Sequence, residues 1–293
     1  MAKPLVSLVV PAKDEEKSIS ILYKELTQVF KKLGQPFEII FIDDGSVDKT
    51  FEEIKKLHEM DKRVKAIRLR GNFGKSVALQ IGFSKALGET VITLDADLQD
   101  NPKEIPNFLK KLDEGYDLVS GWKKRRYDPM SKVLPSKIGN LVTNLLTGIQ
   151  IHDLNCGFKA YKKDVVKNLN LYGELYKFIP VLVSKENFRV TEILIKHKAR
   201  LYGKSKYGWT RNIKGVLDLL TVVFLAGFVR KPGHFFGGIG LISFSLGFVI
   251  GLYIAYLRFT TGSIQYRQPL LFFGVLLMIM GVQFITTGLL AEM

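Results

Sequence analysis

The sequence of 293 residues is poor in cysteine, since Cys156 is the only one. A single thiol excludes a disulfide-stabilised scaffold and suits a reducing compartment, and we expect Cys156 to be a small buried residue rather than a nucleophile. Intrinsic disorder is excluded as the main state, because 20 Phe and 11 Tyr lie in a chain that is 47% hydrophobic. The length allows one large domain or two.

Two nucleotide-binding loops are also missing from the sequence. There is no Gly-x-x-x-x-Gly-Lys-Ser/Thr motif, which argues against a P-loop nucleotidase. No Gly-x-Gly-x-x-Gly motif follows the first predicted strand, which disfavours a dinucleotide-binding Rossmann domain. A signal peptide is not predicted either, because the apolar run at 5–10 is too short and three acidic residues follow it at 14–16.

Charge is absent from two long C-terminal runs, residues 232–257 and 268–291, which contain no Lys, Arg, Asp or Glu. As helices that rise about 1.5 Å per residue, both exceed the roughly 30 Å hydrocarbon layer of a bilayer. Buried core helices of this length would show a polar stripe, so we predict a two-helix transmembrane anchor over 232–293. Small residues recur at every fourth position of the first run: Ser243, Gly247, Gly251 and Ala255. Their partner is either the second run or a neighbouring subunit of a homo-oligomer.

Basic residues are more frequent before the first run than between the two runs. Four precede the first run and two lie in the loop: Arg211, Lys214, Arg230 and Lys231, then Arg258 and Arg267. The positive-inside rule therefore places the N-terminal part in the cytoplasm. Residues 207–231 mix bases with apolar side chains, and we predict amphipathic helices at the membrane interface there rather than an ordinary core helix.

The first 120 residues alternate between β-rich apolar runs and helical patterns. Strands are predicted at 5–10, 37–42, 64–69, 90–94 and 116–119, and helices near 15–33, 49–60, 75–87 and 103–113. This alternation is typical of an α/β domain with a mostly parallel sheet that helices cover on both faces.

Acidic, turn-forming segments follow three of these strands, at 11–15, 43–46 and 95–99. Ligands of such sheets bind outside the carboxyl ends of the strands, so we expect the three segments to converge. Asp95 and Asp97 offer the hard oxygen ligands that Mg²⁺ or Mn²⁺ prefers, and Gln99 could add a carbonyl oxygen. Acidic turns after strands are common, but convergence with Asp43 and Asp44 favours a metal site.

The segment Gly-Asn-Phe-Gly-Lys at 71–75 follows the third strand and opens a helix. Its backbone N–H groups or the Lys75 ammonium face a phosphate or a sugar, or the segment is an ordinary strand-to-helix turn. Locally, both interpretations stay open.

Four ordered motifs, at 9–15, 43–50, 95–100 and 155–159, resemble family 2 glycosyltransferases. Within that family the chain is similar to the polyprenyl-phosphate hexosyltransferases, which include undecaprenyl-phosphate glucosyltransferases and dolichol-phosphate mannose synthase. The resemblance implies a GT-A-type (Rossmann-like) fold over 1–206 and a nucleotide-sugar donor. It also implies that five residues border the nucleoside: Pro11, Ala12, Glu15, Asp43 and Asp44. Asp95, Asp97 and Gln99 would hold the metal on the donor diphosphate.

Positive charge is concentrated in the second half of the soluble part. Residues 122–214 contain 20 Lys and Arg against 6 Asp and Glu, a net of +14, whereas residues 1–121 have a net charge of −1. A solvated face would be mixed in sign, and no nucleic-acid-binding module is recognisable, so no nucleic-acid partner is predicted. The position of the bases just before the apolar runs favours anionic lipid as a partner, with a lipid phosphate as the specific ligand.

A polyprenyl phosphate is largely dianionic at neutral pH and is already a nucleophile, so the acceptor needs positioning and charge screening more than a base. From the basic set we assign this role to Lys123, Arg126, Lys137, Arg200 and Lys206. The segment 200–207 resembles the family's loop over the donor diphosphate. Asp153 occupies the position where relatives keep an acidic residue near the transferred sugar, and positioning fits it better than base catalysis.

The residues and the resemblance together predict a membrane-anchored, metal-dependent hexosyltransferase, and the resemblance implies inversion at the anomeric carbon. UDP-glucose is the favoured donor and GDP-mannose the alternative. A processive polysaccharide synthase is disfavoured, because a Gln-x-x-Arg-Trp motif and further spans are missing. The alternative of another class is a non-catalytic membrane scaffold that binds anionic lipid.

Overall fold

The computed structural model describes residues 4–124, 140, 143–144, 148–198, 232–264 and 266–293. The chain divides into two compact units, Met1–Val222 and Val223–Met293. The interfacial helices predicted over 207–231 lie outside the described residues, so the three-part division of the chain stays a prediction.

The first unit is built on a seven-stranded sheet in the order β3-β2-β1-β4-β6-β5-β7. The strands are β1 Val6–Ala12, β2 Phe37–Asp43, β3 Val64–Arg68, β4 Thr90–Thr93, β5 Leu118–Trp122, β6 Lys159–Lys162 and β7 Val190–Leu194. Among these seven described strands, only β6 runs antiparallel to its neighbours. The predicted mostly parallel sheet is therefore confirmed, and the five predicted strands match β1 to β5; β6 and β7 were not predicted.

The described helices of the first unit are α1 Ile19–Leu33, α2 Thr50–Met60, α3 Lys75–Lys85, α4 Ile105–Asp113, α5 Lys163–Asn168 and α6 Ile179–Lys185. The four predicted helices match α1 to α4, and α5 and α6 were not predicted. Short 3₁₀ turns at Pro102–Glu104 and Leu175–Phe178 precede α4 and α6. The second unit contains α7 Pro232–Thr261 and α8 Gln268–Glu292.

Both faces of the sheet are covered, as predicted. Leu8 on β1 belongs to a core that includes Leu22 of α1, Ile54 of α2 and Phe108 of α4. The next residue of the strand, Val9, points to the opposite face, because side chains alternate along a strand. There α3 comes so close that a Cβ at Gly82 would lie 2.3 Å from Val9 Cγ1.

The helices α7 and α8 are both long and apolar enough to cross a membrane. Glycines spaced seven residues apart bring their backbones together: a Cβ on Gly240 would lie 2.6 Å from the Gly281 carbonyl oxygen, and one on Gly247 would lie 2.4 Å from that of Gly274. Gly247 thus packs against the second span. A Cβ on Gly251 would meet no atom of the described residues within 4 Å, so the four-residue stripe does not form one contact face.

Candidate active site

Hydrogen bonds between the loops after β1 and β2 fix the first two acidic segments against each other. The backbone N–H of Asp14 donates to Ser46 Oγ at 2.9 Å, and that of Glu15 donates to Thr50 Oγ1 at 2.7 Å. In return, the N–H of Val47 donates to Asp14 Oδ1 at 2.9 Å. These three hydrogen bonds join the two loops into one edge of the sheet. Pro11, Ala12 and Glu15, which are predicted to border a nucleoside, lie at or next to that edge.

Asp43 ends β2 and is fully buried. Its Oδ1 accepts the backbone N–H of Ser46 at 3.0 Å, and Arg68 Nε lies 3.5 Å from Oδ2. The Arg68 guanidinium also lies 5.0 Å from the centre of the Phe51 ring. The backbone donor and the nearby guanidinium compensate in part for the burial of this carboxylate.

Asp44 fastens the loop that leads into α3. Its Oδ1 accepts the N–H of Phe73 at 2.7 Å and its Oδ2 accepts that of Gly74 at 3.0 Å. The loop lies so close that a Cβ on Gly45, which has φ +69°, would be 2.4 Å from the Gly71 carbonyl carbon. Asp44 therefore shapes the predicted nucleoside edge through the 71–75 loop.

A tight turn after β4 presents the Asp-x-Asp motif. Leu98 adopts a left-handed conformation with φ +62°, and its side chain is 3% exposed within the core. Burial of this side chain offsets the cost of an unfavourable backbone conformation. The carboxylate Oδ1 of Asp97 accepts the N–H of Gln99 at 3.2 Å, and Gln99 Nε2 donates to the Lys198 carbonyl at 3.3 Å. The motif is thus linked to the chain just before Arg200 and Lys206, which both lie outside the described residues.

Asp95, the first aspartate of the motif, is enclosed by two other segments. Lys75 Nζ donates to Asp95 Oδ1, and the Lys75 ammonium lies 5.3 Å from the centre of the Tyr176 ring. On the other side, a Cβ on Gly157 would lie 2.6 Å from Asp95 Oδ2, so a larger residue there would displace the Asp95 carboxylate. Burial raises the pKa of Asp95, but the Lys75 ammonium outweighs it and holds that pKa below its usual value. No pattern in the sequence pointed to Tyr176.

Lys159 lies within the 155–159 motif and is 2% exposed. Its Nζ donates to the carbonyl oxygens of Leu154 and Cys156, the former at 3.3 Å. Burial lowers the pKa of Lys159 to about 8, and it raises the pKa of the Cys156 thiol to about 12. Cys156 is 2% exposed, which confirms the expectation of a small buried residue.

Lys123 and Asp153 lie at the end of β5. Lys123 Nζ forms an ion pair with Asp100 Oδ1 at 2.8 Å, and the two side chains are 13% and 1% exposed. Burial lowers the pKa of Lys123, but Asp100 outweighs it and raises that pKa above its usual value. The backbone N–H of Lys123 donates to Asp153 Oδ2 at 3.4 Å, and Asp153 is 1% exposed. Arg126 and Lys137, the other residues assigned to the acceptor phosphate, lie outside the described residues.

The donor set suits a cation that also binds a substrate. Within the described part of the chain, no group of three or more His, Cys, Asp or Glu side chains is close enough to hold a metal ion. Mg²⁺ and Mn²⁺ sites in nucleotide-dependent enzymes use one or two carboxylates and complete their coordination with substrate phosphates. Asp95 and Asp97 supply two carboxylates, and the backbone at Gly157 lies directly against the Asp95 carboxylate. The residues present therefore fit a metal–diphosphate complex.

Comparison with known proteins assigns this arrangement to a family. The model of the family described as "Glycosyl transferase family 2" matches residues 7–169. The chain is 37% identical to dodecaprenyl-phosphate galacturonate synthase from Rhizobium johnstonii, over 98% of this chain and 87% of that protein. It is 35% identical to undecaprenyl-phosphate 4-deoxy-4-formamido-L-arabinose transferase from Pseudomonas paraeruginosa, over 98% of this chain and 84% of the relative.

Solved structures show the same fold. Glucosyl-3-phosphoglycerate synthase from Mycobacterium tuberculosis, in complex with Mn²⁺, UDP-glucose and phosphoglyceric acid, superposes with a TM-score of 0.59. The match covers 75% of this chain and 80% of that chain at 16% sequence identity, which supports the predicted GT-A-type fold. Because the family model matches more than half of the chain, the protein belongs to glycosyl transferase family 2 and is a glycosyltransferase.

Proposed function

We propose that this enzyme transfers a sugar from a nucleotide-sugar donor to a polyprenyl phosphate at the cytoplasmic face of a membrane. The observation that carries the proposal is that one chain contains two features. Asp95 and Asp97 follow β4 at the carboxyl edge of the sheet, and two C-terminal helices are able to span a bilayer. The two relatives aligned over 98% of the chain are named for dodecaprenyl and undecaprenyl phosphate, which supports the same acceptor class here.

On the donor side, the linked loops after β1 and β2 border the nucleoside through Pro11, Ala12, Glu15, Asp43 and Asp44. Asp95 and Asp97 would hold Mg²⁺ or Mn²⁺, with Gln99 beside them, and Lys75 and Lys206 would face the diphosphate. The cation, when bound, neutralises charge on the departing nucleoside diphosphate. Water screens charges less in this partly buried edge than in bulk solvent, which strengthens the charge interactions with the diphosphate.

On the acceptor side, the phosphate oxygen of the lipid attacks the anomeric carbon in line with the departing diphosphate, so the configuration inverts. Lys123, Arg126, Lys137 and Arg200 would screen the two anions from each other. Asp153 accepts a backbone hydrogen bond from the residue after β5 and is 1% exposed, which supports a role in positioning the sugar. A dianionic phosphate does not need a strong general base.

The donor sugar is the finer part of the proposal. UDP-glucose is our first candidate and GDP-mannose the alternative. The names of the two relatives add galacturonate and 4-deoxy-4-formamido-L-arabinose to the donor sugars that should be tested. Both relatives share 35–37% sequence identity with the protein.

The membrane location follows from α7 and α8 together with the flanking bases. An anchor in the bilayer holds the enzyme where its lipid acceptor resides, and the excess of Lys and Arg before α7 favours a cytoplasmic catalytic unit.

The test is transfer of radiolabelled sugar from each nucleotide sugar of the panel to undecaprenyl phosphate, in membranes with Mn²⁺ or Mg²⁺. We expect one donor to label the lipid fraction and Asp97→Ala to lower kcat by about 100-fold or more. The matched control is Asp113→Ala, which removes an exposed aspartate at the end of α4 and leaves transfer unchanged.

Two results would contradict the proposal. Full transfer by Asp97→Ala would remove the catalytic role of the acidic edge and leave the lipid-binding scaffold as the better interpretation. If no donor labels the lipid, polyprenyl phosphate is the wrong acceptor.

A further inference from the structure

Lys75 and Asp95 form an ion pair inside the predicted metal site. Lys75 is the first residue of α3, and its Nζ donates to Asp95 Oδ1. The Lys75 side chain is 19% exposed and that of Asp95 is 33% exposed, so the pair is reachable from solvent but not surrounded by it. A positively charged group thus already lies on the carboxylate that a divalent cation needs.

The surroundings of Asp95 leave a cation little choice of approach. Gly157 fits against Asp95 Oδ2 with no room for a Cβ, and Oδ1 is the oxygen that Lys75 contacts. A cation at Asp95 therefore lies next to the Lys75 ammonium. The two positive groups repel each other across a short distance in a partly buried site, where screening by water is weak.

Two aromatic contacts show where the Lys75 side chain is held. Its ammonium lies 5.3 Å from the centre of the Tyr176 ring, and the N–H of Tyr176 donates to Ser76 Oγ at 3.2 Å, next to Lys75 in the chain. Lys177 Nζ also lies 5.7 Å from the centre of the Tyr176 ring and forms an ion pair with Glu174 Oε2 at 2.6 Å. Tyr176 therefore borders the site and keeps the Lys75 ammonium close to Asp95.

We propose that the Lys75 ammonium is a built-in counter-cation of Asp95 that makes metal binding depend on the donor diphosphate. Without a nucleotide, Lys75 neutralises Asp95 and opposes the entry of a divalent cation. A diphosphate supplies negative charge that compensates both the Lys75 ammonium and the divalent cation. Lys75 then turns from Asp95 to a phosphate oxygen, and Asp95 becomes available to the metal. The inference rests on the proposed metal-dependent function and gives Lys75 a specific role within it.

Reciprocity is a direct consequence of this role. If a nucleoside diphosphate strengthens Mn²⁺ binding, Mn²⁺ strengthens nucleotide binding by the same factor. Couplings of this kind typically amount to about 5–150-fold in affinity. Removal of the Lys75 charge is expected to strengthen binding of Mn²⁺ alone and to reduce the coupling.

The experiment measures Mn²⁺ binding to the full chain in detergent by electron paramagnetic resonance, first without nucleotide and then with UDP or GDP in separate samples. For the natural protein we expect on the order of tenfold tighter Mn²⁺ binding in the presence of the nucleotide that binds. For Lys75→Met we expect Mn²⁺ alone to bind on the order of tenfold more tightly, because the competing ammonium is gone. Lys75→Arg, which retains the charge, should behave as the natural protein does.

Lys85→Met is the matched control, since it removes a lysine from the last turn of the same helix and should leave Mn²⁺ binding unchanged. Unchanged or weaker binding of Mn²⁺ alone by Lys75→Met, with the fold intact by circular dichroism, would overturn the proposal. The result does not depend on sugar transfer: failure of the acceptor assay would contradict the proposed function and leave this binding experiment valid.

Discussion

Lys159 shows how a single residue can shape the site without touching a substrate. Its ammonium is buried behind the turn that ends in Gly157 and donates to two carbonyl groups of that turn. Because Gly157 lies directly against the Asp95 carboxylate, the conformation of this turn decides the width of the predicted metal site. Lys159 is therefore a positioning residue for the Asp-x-Asp motif.

The buried ammonium has a measurable effect on stability. Burial lowers the pKa of Lys159 from 10.5 to about 8, so between these pH values the folded protein binds fewer protons than the unfolded chain. Stability contributed by this group therefore rises with pH across that window, and the cost of the buried charge is fully present below pH 8. Compared with Lys159→Met, we expect the natural protein to gain up to about 3 kcal/mol of unfolding free energy from pH 7 to 10.5.

Chemical denaturation of both proteins in detergent, followed by tryptophan fluorescence at a series of pH values, measures this difference. A difference between the two proteins that stays constant with pH would show that Lys159 does not change its charge in this range.

At the residue scale the sequence predicts which side chains matter better than it predicts their partners. Asp95 and Asp97 stand out because an acidic pair directly follows an apolar strand. The ion pair of Lys75 with Asp95 spans 20 positions, and that of Lys123 with Asp100 spans 23, so neither has a local pattern. Such pairs arise only when the sheet brings strand ends together.

At the scale of elements, α7 and α8 form an antiparallel helical hairpin, and their glycines allow the two backbones to come into close contact. We expect Gly240→Leu to destabilise the hairpin by at least about 2 kcal/mol, because its Cβ would lie 2.6 Å from the Gly281 carbonyl oxygen. Gly251→Leu is the control on the same helix, since a Cβ there meets no described atom within 4 Å. Thermal unfolding in detergent should show a lower midpoint for Gly240→Leu alone, and equal midpoints would contradict the close packing.

The missed strands have a physical explanation at the same scale. β6 is four residues long, with a lysine at each end and only Ala160 and Tyr161 between them, so it has neither an apolar run nor an alternating pattern. β7 lies at the edge of the sheet and is only partly buried, so selection for an apolar sequence is weak. Strands β1 and β2, which are buried on both faces, show the continuous apolar runs that made them predictable.

At the scale of the whole molecule, the separation of charge predicts the orientation of the protein in the membrane. Tyr266 lies between the two spans and is 89% exposed, whereas Lys55 lies on α2 of the first unit with its side chain 65% exposed. In a Cys156→Ser background, we expect a membrane-impermeant maleimide to label Tyr266→Cys in intact cells and to label Lys55→Cys only after the cells are opened. Labelling of Lys55→Cys in intact cells would reverse the orientation.

The antiparallel strand β6 has a consequence for the way the chain is laid out. β5 ends at the carboxyl edge of the sheet, and β6, which runs the other way, begins at that edge. The connection from β5 to β6 therefore starts and ends at the edge where the acidic loops lie. Because this connection starts and ends at the same edge of the sheet, a change in its length would not alter the register of the strands that precede the acidic loops.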